Sequence, residues 1–202
     1  MRFIAPKFMR RLAPSVIWEI DSRDSVFLTF DDGPTPGVTE WVLHTLERYS
    51  AKATFFCLGK NIEQHPYLYD MIIAAGHKVG NHTYSHLRGW SMSLGAYVED
   101  VDFGNQFTHS DLFRPPYGLI TPTQARVLSE RYNIIMFDIL SQDYSPVVSP
   151  RQCLNNVIRH LHPGAIVSMH DSRKSARNLS YALPLILEKA GQMGLKCLSI
   201  EI

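Results

Sequence analysis

The chain has 202 residues, of which 45% are hydrophobic, enough apolar material for one domain with a buried core. Its 20 basic and 19 acidic side chains leave a formal charge of +1, which argues against a nucleic-acid partner because such a partner requires a concentrated basic face. The three cysteines, Cys57, Cys153 and Cys197, lack C-x-x-C spacing, so they favour reduced, packed thiols over a disulfide framework.

Residues 1–24 are predicted to form an N-terminal arm that precedes the domain. Basic and apolar residues are mixed in this arm, and Pro6 and Pro14 would interrupt a long helix. It has neither the apolar run of about 7–15 residues of a secretory signal nor the roughly 18 of a membrane span, so we expect a cytoplasmic protein without a signal peptide. The arm is expected to pack on the domain, and contact with a membrane surface is the alternative.

Short apolar runs alternate with amphipathic stretches along residues 25–202, which we expect to form a single domain. Strands are predicted at 26–30, 53–58, 77–80, 134–137, 165–169 and 195–200, and helices at 38–49, 66–75, 94–108, 121–131, 150–161 and in a last stretch that ends near 191. Repeated strand–helix units predict an α/β fold with a parallel sheet, either closed into a β/α barrel or open and doubly wound. In both architectures, sites assemble at the carboxyl ends of the strands.

Two polar clusters after predicted strands have the residue types of a metal site. His82 and His86 are four residues apart, a spacing that would place both imidazoles on one face of a helical turn. Asp31 and Asp32 follow the first predicted strand, and adjacent carboxylates resist ionising together unless a cation compensates. One carboxylate with two histidines makes a 2-His-1-carboxylate site, and the other carboxylate is then free to accept a proton. Taken alone, the two histidines would more simply be surface or core residues, and the two aspartates an ordinary turn.

Three further clusters follow in the chain, namely Arg114-Pro115-Pro116-Tyr117, Asp143-Tyr144 and Ser168-Met169-His170-Asp171. The two prolines restrict the backbone, so that an N–H beyond them can be presented rigidly. The aromatic ring of Tyr144 offers a face on which a sugar could stack.

Together, Thr29-Phe-Asp-Asp-Gly-Pro34, His82-x-x-x-His86 and these three clusters resemble the five motifs of the polysaccharide deacetylases, the NodB-homology group within carbohydrate esterase family 4. The resemblance spans about residues 25–200. It implies a distorted (β/α) barrel and a metal-dependent hydrolase that removes N-acetyl groups from GlcNAc-containing oligosaccharides or glycan precursors. A related amidase or O-acetyl esterase, and a non-catalytic glycan-binding barrel, are the alternatives.

The resemblance also implies a role for each matching residue. Asp32, His82 and His86 would bind one divalent metal ion, for which zinc is the first candidate and cobalt or nickel would also suit. Asp31 would be the general base, held by Arg114, and His170 the general acid, paired with Asp143. Tyr117 would offer its backbone N–H to the oxyanion. The residues implied to bind substrate are Tyr117, Tyr144, Ser168 and Pro116.

Three positions depart from the usual family pattern. Tyr144 stands where most members carry tryptophan, Ser168 where leucine commonly lines the acetyl pocket, and Leu140 where many members have an acid. None of the three removes a metal ligand or a proton carrier, so we expect a change in substrate preference and no loss of activity.

Overall fold

The computed structural model describes residues 16–202, so the predictions for residues 1–15, including membrane contact by the arm, lie outside the described residues. The strands are β1 (Val16–Ile17), β2 (Ser25–Asp31), β3 (Thr54–Cys57), β4 (Lys78–Asn81), β5 (Leu112–Phe113), β6 (Asn133–Ile135), β7 (Ile139–Leu140), β8 (Ile166–His170) and β9 (Lys196–Cys197). The α-helices are α1 (Val38–Arg48), α2 (Gly59–Gln64), α3 (Pro66–Ala74), α4 (Leu94–Thr108), α5 (Pro122–Leu128), α6 (Pro150–Ile158) and α7 (Ala176–Gln192).

The strands form one parallel sheet in the order β1-β6-β5-β4-β3-β2-β8-β7, with β9 paired to the start of β2. Strands β6 and β7 lie near opposite ends of this order, yet only residues 136–138 join them along the chain. The sheet must therefore curl until its two sides meet. At this junction, the Asp138 N–H donates a hydrogen bond to the Ile166 carbonyl of β8 at 3.0 Å. The result is the distorted β/α barrel that the family resemblance predicts, and the open doubly wound alternative is wrong.

The central strand β2 explains why the core lies where it does. Every residue of β2 is buried, because one face packs inside the barrel and the other packs beneath the surrounding helices. Phe30 of β2 stacks on Phe55 of β3 with ring centroids 5.0 Å apart, within the largest hydrophobic cluster. This packing gives the carboxyl ends of β2 and its neighbours a rigid support.

The predicted elements are largely confirmed, and the differences concern short segments. The helix at 94–108 is confirmed at both ends, whereas the strand predicted at 195–200 is limited to Lys196–Cys197. The sequence did not indicate α2, which begins at Gly59, where the second strand was expected to end, and it did not indicate β1, β5 or β7. Strands of two residues are too short to show an alternating pattern.

The fold also extends before residue 25, where the domain was predicted to begin. Val16 and Ile17 pair in parallel with Ile134 and Ile135 of β6, and Trp18 is buried in the same cluster. Residues 16–18 therefore contribute to the sheet and to its core. Within residues 16–202, none of the helices combines the length and apolar character that crossing a bilayer requires.

Candidate metal and catalytic site

The polar clusters converge because the strands that carry them are parallel and adjacent. Asp31 ends β2 and His170 ends β8, and these two residues face each other in the strand register. Likewise, β4 and β5 pair through Asn81 and Phe113, so His82 and Arg114 follow at neighbouring positions. Side chains that are far apart in sequence thus meet at one end of the barrel.

Asp32, His82 and His86 form the first part of the site. Each offers one ligand atom, and the three atoms lie within 4.8 Å of one another. Nε2 of His86 lies 3.0 Å from Oδ1 of Asp32, and Nε2 of His82 lies 3.6 Å from the same oxygen. This arrangement of two imidazoles and one carboxylate fits a divalent ion with coordination positions left open.

The two histidines do not share a helical turn, contrary to the expectation from their spacing. Residues 82–86 form a loop after β4, in which Thr83 and His86 have φ values of 68° and 61°. The Thr83 hydroxyl accepts a hydrogen bond from the His86 N–H at 2.9 Å and stabilises this loop. The left-handed backbone conformation at these two residues, and not a helical turn, therefore brings the His86 imidazole close to that of His82.

A hydrogen bond to the backbone sets the orientation of His82. Its Nδ1 lies 2.7 Å from the Arg114 carbonyl oxygen, which can only accept, so Nδ1 carries the proton and Nε2 is left as a ligand. Burial by itself would raise the pKa of Asp32, but hydrogen bonds from His82 and His86 and the charge of His170 hold that pKa well below its usual value. The three residues fit a metal ion by donor type, spacing and orientation.

Asp31 is held apart from Asp32 by a different set of partners. Its Oδ1 accepts a hydrogen bond from Nη1 of Arg114 at 2.7 Å, and its Oδ2 accepts one from the Ser168 hydroxyl at 3.2 Å. Both Asp31 and Arg114 are buried. The adjacent carboxylates therefore differ in environment, since Asp31 faces a guanidinium and Asp32 faces two imidazoles.

Ser168 has a contact that the sequence did not indicate. The residue lies in β8, is buried, and its hydroxyl donates a hydrogen bond to Asp31, the predicted base. The family resemblance implied that Ser168 lines the acetyl pocket, because leucine commonly has that position there, and a leucine could not donate this hydrogen bond. The serine thus changes the surroundings of the carboxylate as well as the lining of the cleft.

His170 is bound to Asp143 by two hydrogen bonds. The Asp143 carboxylate accepts from the His170 backbone N–H through Oδ2 and from the imidazole Nδ1 through Oδ1, each at 2.8 Å. Burial favours the neutral imidazole, but the charge and hydrogen bond of Asp143, together with the charges of Asp31 and Asp32, raise the pKa of His170 to about 9. The Tyr144 ring lies edge-on to this imidazole with centroids 4.9 Å apart.

Tyr117 and Pro116, both predicted to contact substrate, are placed differently. Tyr117 has a φ of 62°, is 54% exposed, and lies beside the His86 ring with centroids 4.6 Å apart. Pro116 is buried, so its effect is to fix the turn that carries Tyr117 and not to offer a surface.

The sequence did not indicate that Asp171 supports the turn after β2. It is buried beside the turn after β2, and its Oδ2 accepts a hydrogen bond from the Thr39 hydroxyl at 2.6 Å. Burial is the main cause that raises the pKa of Asp171 to about 7, with contributions from the charges of Asp32 and Asp31. Its place directly after His170 was visible in the sequence, but its contact with the distant turn was not.

One other group in residues 16–202 has the donor types of a metal site, namely Glu19, Asp138 and His162. Nε2 of His162 lies 2.7 Å from Oδ2 of Asp138 at the junction between β6 and β7. This group lies beside the first residue of β8, Ile166, whereas His170 is at the opposite end of that strand.

Comparison with known proteins agrees with this geometry. Residues 19–133 match the family model for polysaccharide deacetylase. The chain is 31% identical over 195 residues to a peptidoglycan-N-acetylglucosamine deacetylase of Bacillus cereus, covering 92% of this chain and 91% of that one. In the next curated relatives, also peptidoglycan-N-acetylglucosamine deacetylases, the chain spans only 57% and 38% of their length.

Solved structures share the fold over most of the chain. The crystal structure of a peptidoglycan N-acetylglucosamine deacetylase in complex with an N-hydroxybenzamide compound superimposes with a TM-score of 0.89 at 26% identity, covering 97% of this chain and 95% of that one. A pseudoenzyme of carbohydrate esterase family 4 from Bacillus anthracis superimposes with a TM-score of 0.83, also at 26% identity, covering 95% and 69%. The fold is therefore compatible with both an active and an inactive site, and the side chains must decide between them.

Proposed function

We propose that this chain, which belongs to the polysaccharide deacetylase family, hydrolyses N-acetyl groups of GlcNAc-containing oligosaccharides or glycan precursors. One observation carries the proposal: the candidate base Asp31 and the candidate acid His170 each have a dedicated charged partner, and both lie beside the Asp32–His82–His86 group. A protein that only binds glycans has no use for a proton acceptor and a proton donor in this arrangement.

The two proton carriers have complementary surroundings. Asp31 is fixed by Arg114 and Ser168 with its carboxylate oxygens oriented, and in that position it would take a proton from the attacking water. His170 has its Nδ1 bound to Asp143, which leaves Nε2 to deliver a proton to the departing amine. Its raised pKa keeps the imidazole protonated at neutral pH, the state that an acid requires.

Asp32, His82 and His86 would hold the metal ion, and we propose zinc, although cobalt and nickel suit the same donors. A divalent ion bound there supplies Lewis-acid polarisation of the amide carbonyl and lowers the pKa of water. The backbone N–H of Tyr117 is the proposed second donor to the oxyanion. The exposed ring of Tyr117 and the half-buried ring of Tyr144 flank the group and would stack on sugar.

The substrate class follows from the relatives and stays part of the proposal. Peptidoglycan is the named substrate of the similar Bacillus cereus enzyme. A cytoplasmic location remains a prediction and would favour a soluble or lipid-linked precursor over mature cell wall.

Acetate release from chitooligosaccharides, measured after chelation and again after addition of zinc, tests the proposal. We expect zinc to restore release, and Asp31→Asn to keep the metal but lower turnover by about 10²-fold or more, since the proton transfer is lost. His86→Ala should lose the metal, whereas His162→Ala, near the opposite end of β8 from His170, should keep one metal ion per chain and normal turnover.

Two outcomes would contradict the proposal. Turnover that persists in Asp31→Asn would show that another group is the base. A protein that binds zinc through His86 but releases no acetate from any amino sugar would instead support the non-catalytic alternative, which the pseudoenzyme neighbour illustrates.

A further inference from the structure

The charged side chains that are exposed in the segments between strands and helices around the candidate site are all basic. Six segments join the carboxyl end of a strand to the next helix, namely 32–37, 58, 82–93, 114–121, 141–149 and 171–175. The exposed charged side chains in these segments are Arg88, Arg173 and Lys174. Carboxylates also occur there, at Asp32, Asp143 and Asp171, but these are half-buried or buried within the site. Arg88, Arg173 and Lys174 thus form a cationic rim around the site, although the chain as a whole is nearly neutral.

The helices that follow these segments also have more basic than acidic residues in their first turns. Five of the six have no acidic residue in the first turn, although acidic residues are favoured there by about 0.3–1 kcal/mol. Lys60, Arg151 and Arg177 occupy the second position of three of them instead. The exception, Glu40 in α1, gives its carboxylate to the Gly37 N–H at 2.6 Å. Because cations are not favoured near the N-terminus of a helix, helix stability does not explain these basic residues.

The rim residues flank the candidate site on two sides. Arg88 follows the loop after β4, and its guanidinium lies over the Tyr117 ring, 4.8 Å from the centroid. Tyr117 in turn lies beside His86, so Arg88 is one aromatic ring away from a proposed metal ligand. Arg173 and Lys174 follow β8, on the other side of β2 in the sheet.

The rim cations are also available to a ligand. None of the ion pairs within residues 16–202 includes Arg88, Arg173 or Lys174. The acidic groups of the site have nearer partners, since Arg114 faces Asp31 and His170 faces Asp143. The rim cations are therefore not needed to neutralise the carboxylates of the site.

We infer that the physiological substrate is an anionic amino sugar, whose carboxylate or phosphate lies near the scissile acetamide and is attracted by Arg88, Arg173 and Lys174. This inference rests on the proposed function and narrows its substrate class. A neutral polymer such as chitin would gain nothing from such a rim. A negatively charged glycan would be attracted by these cations.

Matched substrate pairs that differ in one charged group test the inference. The first pair is the GlcNAc–N-acetylmuramic acid disaccharide and its methyl ester, and the second is chitobiose 1-phosphate and chitobiose. For the zinc-loaded enzyme, we expect kcat/KM to favour the charged member by roughly tenfold or more at low salt, a preference that shrinks strongly in about 0.5 M NaCl because the charges are screened. The first pair reports on a carboxylate and the second on a phosphate.

A pair of double variants localises the effect. Arg88→Gln with Arg173→Gln should reduce the preference for the charged member about threefold to tenfold. Arg23→Gln with Arg159→Gln removes the same charge from exposed positions before β2 and after α6, and should leave the preference unchanged. Thermal unfolding of both double variants separates a lost charge from a damaged fold.

Equal kcat/KM values for both members of both pairs at low salt would overturn the inference, as would an equal effect of the two double variants on the preference. If acetate is released from none of the four compounds, the proposed function fails. The charge preference is then measured as the ratio of dissociation constants within each pair, and a ratio near one overturns the inference separately.

Discussion

Arg114 shows how one buried side chain organises several others. Its guanidinium donates to Asp31 and to Thr29 Oγ1, while its remaining N–H groups reach the carbonyls of Ile135 and Met136 at 3.2 and 2.8 Å. The Phe56 ring covers one face, 4.1 Å from the guanidinium carbon. A lysine could not reproduce this planar set of donors, so the position requires arginine.

The pairing of Asp143 with His170 leads to a prediction on the pH dependence of turnover. Because the pKa of His170 is raised to about 9, the imidazole is protonated at neutral pH and loses its proton as the pH rises through that value. Asp143→Asn removes the negative charge, so the pKa of His170 should fall and the basic limb of the kcat/KM profile should move to lower pH. Turnover at pH 8 should then fall more than turnover at pH 6.

Tyr144→Phe is the matched control for this pH profile, since it keeps the ring beside His170 without changing any charge at neutral pH. Its basic limb should stay in place. Because both oxygens of Asp143 accept hydrogen bonds, asparagine can satisfy only one of them, and thermal unfolding must accompany the kinetics. An unshifted basic limb in a folded Asp143→Asn variant would count against His170 as the acid.

At the scale of elements, the end of β2 and the turn that follows it carry the two candidate carboxylates, Asp31 and Asp32, and the turn packs closely against the end of β8. Asp32 has a φ of 74°, and a Cβ built at Gly33 would overlap the carboxylate of Asp171. The Asp171 carboxylate also accepts a hydrogen bond from the Thr39 hydroxyl at the start of α1. The absence of a side chain at Gly33 therefore allows the turn to approach the end of β8 and places Asp32 near the two histidines.

Gly33→Ala should separate this turn from Asp171. We expect the zinc affinity to fall about 10–100-fold, as is typical when the support of a ligand is disturbed, and the free energy of unfolding to fall by about 1–3 kcal/mol. Gly95→Ala in α4 is the control, because nothing lies within 4 Å of the added Cβ. It should stabilise the protein by about 0.5–1 kcal/mol and leave zinc binding unchanged. Normal zinc affinity in Gly33→Ala would show that the close approach is not required.

For the whole molecule, the barrel would make metal binding at the proposed site depend on folding. Asp32 follows β2, whereas His82 and His86 follow β4, so the three ligands come together only in the folded chain. A metal ion that binds the native state alone must stabilise it in proportion to its free concentration.

Zinc should therefore raise the melting temperature of chelator-treated protein. At a free concentration of about one hundred times Kd, the gain in the free energy of unfolding is about 2.7 kcal/mol. For a domain of this size, that corresponds to a Tm increase of roughly 5–10 °C. Differential scanning calorimetry of wild type and Asp32→Ala with and without zinc measures the effect. An equal increase in Asp32→Ala would place the stabilising ion elsewhere.

The sequence by itself determined the identity of the chemical groups and the order of the main elements. Apolar periodicity is a local property, so it located β2, β8 and the long helix α4. Residue chemistry marked His82, His86 and one of two adjacent carboxylates as candidate ligands, and the family resemblance selected Asp32. The five motifs led to the barrel by resemblance, because periodicity alone left a closed and an open sheet equally acceptable.

Only the tertiary structure decided which group acts on which. The positive φ values at Thr83 and His86, the bond from Ser168 to Asp31 and the fit of Asp171 against Gly33 depend on residues brought together by the curl of the sheet. The same curl gathers Arg88 and Arg173 on one rim, although the chain as a whole is nearly neutral. Such contacts join positions far apart in the chain, and a linear pattern contains no information on the distances between them.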